Sequence, residues 1–333
     1  MQNQRTTAVA AALAATCAIV GVACAAKLAK FDPPKPSPVL GIGATLEGKR
    51  IFPVDNPWNQ DISNLPVDPR SAKLVASIGT ERPFHPDFGT VYDGHPNGIP
   101  YVVISGEQTK KFAPVSFEYA NESDPGPYPI PPDAPIEGGP GSDGDRHVLV
   151  IDKDNWKLYE LFAMHPQGDG ENRRWKAGSG AIFDLATGTD RPAGWTSADA
   201  AGLPIFPGLV RYDETVERKE ITHALRFTCR HSRHAYVPPA RHYASSKEDE
   251  DLPPMGMRVR LKASVDISGY PPTARVILKA LKKYGMILAD NGSDWYVSGA
   301  PDSRWDDEDI NSLKRIKGGD FEVVKMGAMV TRN

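Results

Sequence analysis

Two neighbouring predicted strands bring a histidine and a glutamate close enough to exchange a proton. The strands cover residues 147–152 and 156–162, and residues 152–155 predict a four-residue hairpin turn. In that register His147 lies opposite Glu160, on a face that is otherwise apolar. Apolar surroundings raise the pKa of a carboxyl group and an imidazolium lowers it, so the pair suits proton transfer near neutral pH. The alternative is a buried pair that only fixes the hairpin, and a turn of three or five residues would send Glu160 to the other face.

A second carboxylate and an aromatic side chain follow downstream. Asp184 comes late in the predicted strand 180–185, and the glycines before it leave room for a ligand. Trp195 lies among small residues, where it suits stacking on a sugar ring. Asp199 is either a helix cap or a further carboxylate of the site. A well-packed turn explains Trp195 and Asp199 equally well.

Three cationic or imidazole side chains are candidates for substrate binding. His223 and Arg226 lie on opposite faces of the predicted strand 221–228, so they share a site only if a bulge intervenes. Arg258 lies with two other cations on the outer face of the strand 257–265. That face is either a solvated surface or a groove for an acidic polymer.

Metal-binding patterns are weak. His231 and His234 have a loose metal spacing without the cysteines or the helical context of a zinc site. Residues 290–294 predict a hairpin turn, and their acid spacing lacks the distant glutamate of a calcium loop. We therefore predict no metal and no cofactor.

The elements that must position these residues are mostly short strands. Nine segments are rich in β-branched or aromatic residues and bounded by turn formers: 101–105, 115–119, 147–152, 156–162, 180–185, 221–228, 257–265, 286–289 and 295–298. Helices are predicted over 272–284, from Pro272 to a stop at Gly285, and over 305–316. These pieces predict a mainly-β fold, a β-sandwich-like single domain with one or two peripheral helices. A barrel or a propeller fragment is the alternative.

One segment of unusual composition interrupts the strands. Residues 121–144 contain seven prolines and five glycines. Because Tyr128, Ile130 and Ile136 are apolar, we expect a long ordered loop packed on a sheet, with an interdomain linker as the alternative. Loops of this length are often functional.

Composition limits the classes of partner. The chain of 333 residues is 40% hydrophobic and 24% charged, as in folded globular proteins. Its 39 Lys and Arg against 42 Asp and Glu give a net charge of -3, which disfavours binding to nucleic acid. Three cysteines, two of them in the first 24 residues, exclude a disulfide framework.

The N-terminus predicts export. Residues 1–26 contain one charge, Arg5, and then an apolar run with small residues near its end, as in a signal peptide. Lipidation at Cys24 and an uncleaved membrane anchor are alternatives. Residues 27–44 then form a Pro-rich tether, and 45–333 a single β-rich domain. The protein is expected to be secreted or periplasmic.

No nucleophile elbow, phosphate loop, dinucleotide fingerprint or zinc signature is present in the sequence. Several stretches resemble a group of exported bacterial proteins to which no activity is assigned: DNPWNQDIS, GDRHVLVID, AGSGAIFDL, RPAGWTSADAAGLP and ADNGSDW. The resemblance covers nearly the whole body of the chain. It implies export and a single domain type.

Two classes of function fit these observations. The first is a secreted glycoside hydrolase acting on a polysaccharide or oligosaccharide, with Glu160 as proton donor, Asp184 as partner carboxylate and His147 tuning Glu160. Its substrate-binding residues would be Trp195, Asp199, His223, Arg226 and Arg258. A polysaccharide lyase is a close alternative. The second class is a non-catalytic, exported glycan-binding or envelope protein, with no membrane partner beyond an N-terminal lipid or anchor.

The positions of Glu160 and Asp184 separate the two classes. Convergence of the two carboxylates on an open groove favours the enzyme. Carboxylates that lie apart, each bound by backbone amides, favour the binding protein.

Overall fold

The computed structural model describes residues 39–107, 114–168 and 173–331, which belong to one compact unit. The predicted export signal and the tether up to residue 38 lie outside the described residues. No helix in the described ranges has the length and the apolar character needed to span a bilayer.

Strands dominate the described chain. They are numbered here in chain order: β1 (Gly41–Ile42), β2 (His85–Asp87), β3 (Val91–Tyr92), β4 (His95–Pro96), β5 (Tyr101–Ile104), β6 (Val115–Phe117), β7 (Val148–Asp152), β8 (Lys157–Phe162), β9 (His165–Gln167), β10 (Arg174–Ala177), β11 (Ser179–Asp184), β12 (Leu225–Cys229), β13 (Arg258–Leu261), β14 (Met286–Asn291), β15 (Tyr296–Ser298) and β16 (Phe321–Val323). The α-helices are α1 (Ser71–Ile78), α2 (Pro272–Lys283) and α3 (Asp307–Asn311). Each of the nine predicted strands is confirmed, whereas α1 and several of the shortest strands were not predicted.

Two large sheets organise the fold. One has five strands in the order β1-β5-β7-β8-β11, and the other has six in the order β16-β13-β14-β12-β15-β2. Smaller sheets are formed by β6-β10-β9 and by the β3-β4 hairpin. β1 pairs with β5, so the folded domain begins before the boundary we placed at residue 45.

The main hydrophobic core is shared by the two large sheets. Leu149 and Ile151 of β7 belong to the same buried cluster as Phe227 of β12 and Leu288 of β14. Helix α2 adds its apolar stripe, including Ile277, to this cluster. The fold is therefore a mainly-β single domain, as predicted.

The other face of the five-stranded sheet is covered by the Pro-rich segment 121–144. Tyr128 and Ile130 are buried against Val148 and Val150 of β7 in a second apolar cluster. Burial on both faces explains why β7 reads as a continuous apolar run. The segment is an ordered loop, which we call the cover loop, and the linker alternative is wrong.

The predicted long helix is confirmed as α2. Pro272 lies in its first turn, where a missing amide donor costs nothing. Gly285, with φ of +66°, follows the helix. A Cβ atom there would lie 2.2 Å from the carbonyl oxygen of Val259, so only glycine fits.

Candidate active site

The hairpin of β7 and β8 is shifted from the predicted register. Leu149, rather than His147, lies opposite Glu160. Because the shift is two residues, His147 and Glu160 keep the predicted common face. The ring of His147 instead contacts that of Phe162, with centroids 5.8 Å apart.

The cause of the shift lies in the turn. The Asp152 carboxylate accepts hydrogen bonds from the backbone amides of Asp154 and Asn155, both at 3.0 Å. Trp156, predicted to start the second strand, adopts a left-handed φ of 51° and closes the turn. The strand pairing therefore begins at Asp152 and Lys157.

The surroundings of Glu160 indicate a structural role. Its carboxylate accepts hydrogen bonds from the backbone amides of Ile205 at 2.9 Å and Phe206 at 2.8 Å, and the side chain is fully buried. Burial raises its pKa to about 7, although the two amides act in the opposite direction. Glu160 thus ties β8 to the 3₁₀ helix Phe206–Gly208.

Glu160→Gln is expected to fold and to be more stable than the wild type at alkaline pH. Glu160→Ala is expected to lose about 2–5 kcal/mol of the free energy of unfolding. The Gln amide oxygen can accept both backbone N–H bonds, but Ala leaves two buried donors unpaired. The pKa of Glu160 is higher in the folded protein than in the unfolded chain. The wild type therefore loses up to about 3 kcal/mol of its free energy of unfolding as pH rises from about 4.5 to 7. Urea denaturation at pH 5 and pH 8 measures both effects. Equal instability of the Gln and Ala variants at both pH values would contradict this role.

Asp184 is separated from Glu160. In β11, Ala181 lies opposite Glu160 and Asp184 lies opposite Lys157, so the two carboxylates point to opposite faces of the sheet. Asp184 accepts hydrogen bonds from the backbone amides of Ala186 and Thr187, both at 2.9 Å. The hydrogen bond from Thr187 is the main cause that lowers the pKa of Asp184. Both carboxylates are bound by backbone amides, so Glu160 and Asp184 do not form the expected catalytic pair.

Three predicted substrate-binding residues have protein partners of their own. His223 contacts the carboxylate of Glu214 at 2.9 Å. Arg258 donates to backbone carbonyls, including that of Pro57 at 2.7 Å, so it does not form a groove for a polymer. Trp195 is half-buried with the guanidinium of Arg191 5.5 Å from its ring centre.

The remaining two, Asp199 and Arg226, form a buried ion pair that ties the loop carrying Asp199 to β12. Arg226 donates from Nε and Nη2 to the two oxygens of Asp199 at 2.9 and 2.7 Å. Its Nη1 donates to the hydroxyl of Ser298. As the sequence indicated, His223 and Arg226 belong to separate networks.

A third side chain, Asp290, joins this ion pair through an irregularity of β14. The register of β12 and β14 shifts after Phe227, so that Thr228 lies opposite Asp290. This bulge places Asp290 on the face of Arg226, at 3.9 Å from its Nη2. Burial and then the charge of Asp199 raise the pKa of Asp290 well above its ordinary value.

His147 holds a glutamate of the cover loop. Its Nδ1 lies 2.6 Å from Oε2 of Glu137, and its Nε2 lies 3.1 Å from the carbonyl oxygen of Ala198. Both partners accept only, so both ring nitrogens carry protons and the ring is an imidazolium. Although burial acts against the charge, Glu137 raises the pKa of His147 to about 9.

Glu137 is consequently an ionised carboxylate. Burial acts to raise its pKa, but the charge and the hydrogen bonds of His147 lower it below its ordinary value. The hydrogen bonds from His147 all reach Oε2, and a quarter of the side chain, 25%, stays exposed. The exposed part faces a cleft.

This cleft, of about 390 Å³, lies between the β3-β4 hairpin and the cover loop. We call it the hairpin cleft, and its wall includes Asp87, Tyr92, His95, Glu137 and Ser142. Asp87 lies beside Ser298 in the parallel pair β2-β15, so both side chains point toward Arg226. Although Asp87 is exposed along the cleft, partial desolvation of its carboxyl group by the surrounding protein, followed by the negative charge of Glu137, raises its pKa, while Arg226 opposes the shift.

The hairpin cleft thus contains two carboxyl groups whose pKa values are displaced in opposite directions. The pKa of Asp87 is displaced toward the protonated form and that of Glu137 toward the ionised form, the kind of difference that distinguishes an acid from a base or nucleophile. Asp87, Glu137 and Asp290 were not identified from the sequence. The composition of the cover loop was the signal that could have identified Glu137.

No group of three or more His, Cys, Asp or Glu side chains in the described part of the chain is arranged to hold a metal ion. Comparison with protein-family models, with curated proteins and with solved structures finds no match to this chain.

Proposed function

We propose that the protein is an exported glycoside hydrolase that cleaves its substrate in the hairpin cleft. Asp87 protonates the leaving oxygen, and the Glu137 carboxylate acts on the other side of the bond, as base or as nucleophile. The observation that carries the proposal is the opposed displacement of the two pKa values on one solvent-open cleft.

His147 has the role of a positioning residue. It does not line the cleft, but its imidazolium fixes the Glu137 carboxylate and keeps it ionised. The Asp199–Arg226 pair lies behind the carboxylates, and the positive charge of Arg226 keeps the pKa of Asp87 from rising further.

A polyhydroxylated substrate fits the wall of the cleft. Tyr92, on the β3-β4 hairpin, is 75% exposed and offers an aromatic face on which a sugar ring can stack. Carboxylates and polar side chains around it offer hydrogen bonds to hydroxyl groups.

The test is incubation of the purified protein with a panel of polysaccharides. New reducing ends support hydrolysis, whereas unsaturated products identify a lyase. Binding of a glycan without any product would favour the non-catalytic class, which the amide-bound Glu160 and Asp184 support.

The rate of hydrolysis is expected to have an acidic optimum. Activity falls as pH drops through the lowered pKa of Glu137, and falls again as pH rises through the raised pKa of Asp87. His147→Gln removes the neighbouring cation, so the pKa of Glu137 rises and the acid limb of the profile moves to higher pH. A pH profile of kcat for both proteins measures this. An unmoved acid limb in a folded His147→Gln variant would contradict the role of His147.

A further inference from the structure

A second pocket, which shares no lining residue with the hairpin cleft, contains an arginine whose side chain has no bonding partner among the described residues. The pocket has a volume of about 190 Å³, and we call it the Arg233 pocket. Its apolar wall is formed by Leu74, Leu252, Pro254 and Met326. Arg233 is only 8% exposed, and its Nε has no hydrogen-bond partner among the described residues.

Although the Nε of Arg211 is unpaired too, each of the other buried arginines that the structure describes has at least one side-chain hydrogen bond or ion pair. Arg226 binds Asp199, Arg191 binds Asp124, and Arg211 binds Glu214. Arg260 binds Glu322, and Arg146 donates to three backbone carbonyls. Buried charges in proteins are normally paired in this way, because an unpaired one loses its hydration without compensation.

The acids around the pocket are already engaged. Asp68 accepts hydrogen bonds from the backbone amides of Arg70 at 2.9 Å and Met326 at 3.2 Å. Glu250 forms an ion pair with Arg70 at 3.2 Å. Neither acid forms a hydrogen bond or an ion pair with Arg233, so the guanidinium can still bind another group.

The backbone holds Arg233 at the pocket. Its amide donates to the carbonyl of Pro253 at 2.9 Å, and its carbonyl accepts from the amide of Ala235 at 2.8 Å. A charged group fixed beside an apolar wall is the arrangement of a site for an amphiphilic anion.

We infer that the Arg233 pocket binds a small monocarboxylate with an apolar body. The planar guanidinium matches a carboxylate, to which it can donate two parallel hydrogen bonds. A cavity of about 150 Å³ accommodates a benzene-sized molecule, so the pocket has room for a body of about six carbons. This site is independent of the proposed hydrolase activity.

The experiment is an NMR titration of the full protein labelled with ¹³C at the methionine methyl groups. The probes are hexanoate and its neutral counterpart hexanamide. Hexanoate is expected to shift the signals of Met326 and Met329, which line the pocket, but not that of Met164, which is buried in the other apolar cluster. Because hexanamide lacks the charge, it is expected to bind at least about 10-fold more weakly.

Arg233→Gln is expected to reduce the affinity for hexanoate to that for hexanamide, and Arg304→Gln, at an exposed arginine, to leave it unchanged. Equal affinity of the wild type for the two probes, or no shift at Met326 and Met329, would overturn the inference. The comparison of hexanoate with hexanamide decides the question even if Arg233→Gln does not fold.

Discussion

Replacing Asp87 with Asn is expected to lower kcat on the glycan substrate by about 100- to 10,000-fold. The Asn amide occupies the same space but has no proton to give to the leaving oxygen. The melting temperature is expected to stay nearly constant, because Asp87 is exposed along the cleft and its charge is repelled by that of Glu137. Measurement of kcat together with thermal unfolding separates the loss of catalysis from a loss of folding.

Asp184→Asn is the matched control for this variant. It removes an equivalent carboxylate, and its oxygen can still accept hydrogen bonds from the amides of Ala186 and Thr187. We expect its kcat to be that of the wild type. The assignment of Asp87 would be wrong if Asp87→Asn retained full activity, or if Asp184→Asn lost as much.

Replacing Arg226 with Ala is expected to destabilise the fold by about 3–5 kcal/mol, a large share of the stability of a typical domain. The substitution leaves the fully buried carboxylate of Asp199 without its counter-ion, and it also removes the positive charge near Asp290. It also disconnects the loop carrying Asp199 from β12. Urea denaturation monitored by tryptophan fluorescence measures the loss.

Arg304→Ala is the control for charge removal at an exposed position. Arg304 is 55% exposed at its side chain and pairs with Glu217 and Asp302, so its loss is expected to cost less than about 1 kcal/mol. Similar losses in the two variants would show that the buried pair contributes no more than a surface one.

The strands were predictable because their signal is local. Runs rich in β-branched and aromatic residues, such as Tyr101–Ile104 and Val148–Asp152, are typical of buried strands. The limits of helix α2 are marked in the sequence by Pro272 at its start and Gly285 after its end. The register of β7 and β8 was not predictable in the same way. It depends on the Asp152 carboxylate capping the turn and on the left-handed backbone of Trp156, neither of which follows from hydropathy.

The candidate site depends on contacts between residues far apart in the sequence. His147, Asp199 and Arg226 were candidates because of their residue types. The sequence did not predict that Arg226 binds Asp199 or that His147 binds Glu137. Asp290 was assigned to a turn, because an Asn-Gly pair usually ends a strand and the bulge in β14 leaves no local pattern.

The two proposed catalytic carboxylates of the hairpin cleft belong to parts of the chain with different tolerance to change. Asp87 ends a strand that is paired with β15, whereas Glu137 sits on the cover loop, outside any ladder. Residues 138–143 belong to no strand, but the carbonyls of Pro140 and Ser142 bind the buried Arg146, so the side chains of this stretch can be exchanged if its backbone path is kept. If the cleft binds glycans as proposed, such exchanges with Glu137 retained are expected to yield variants that accept bulkier or more branched sugars.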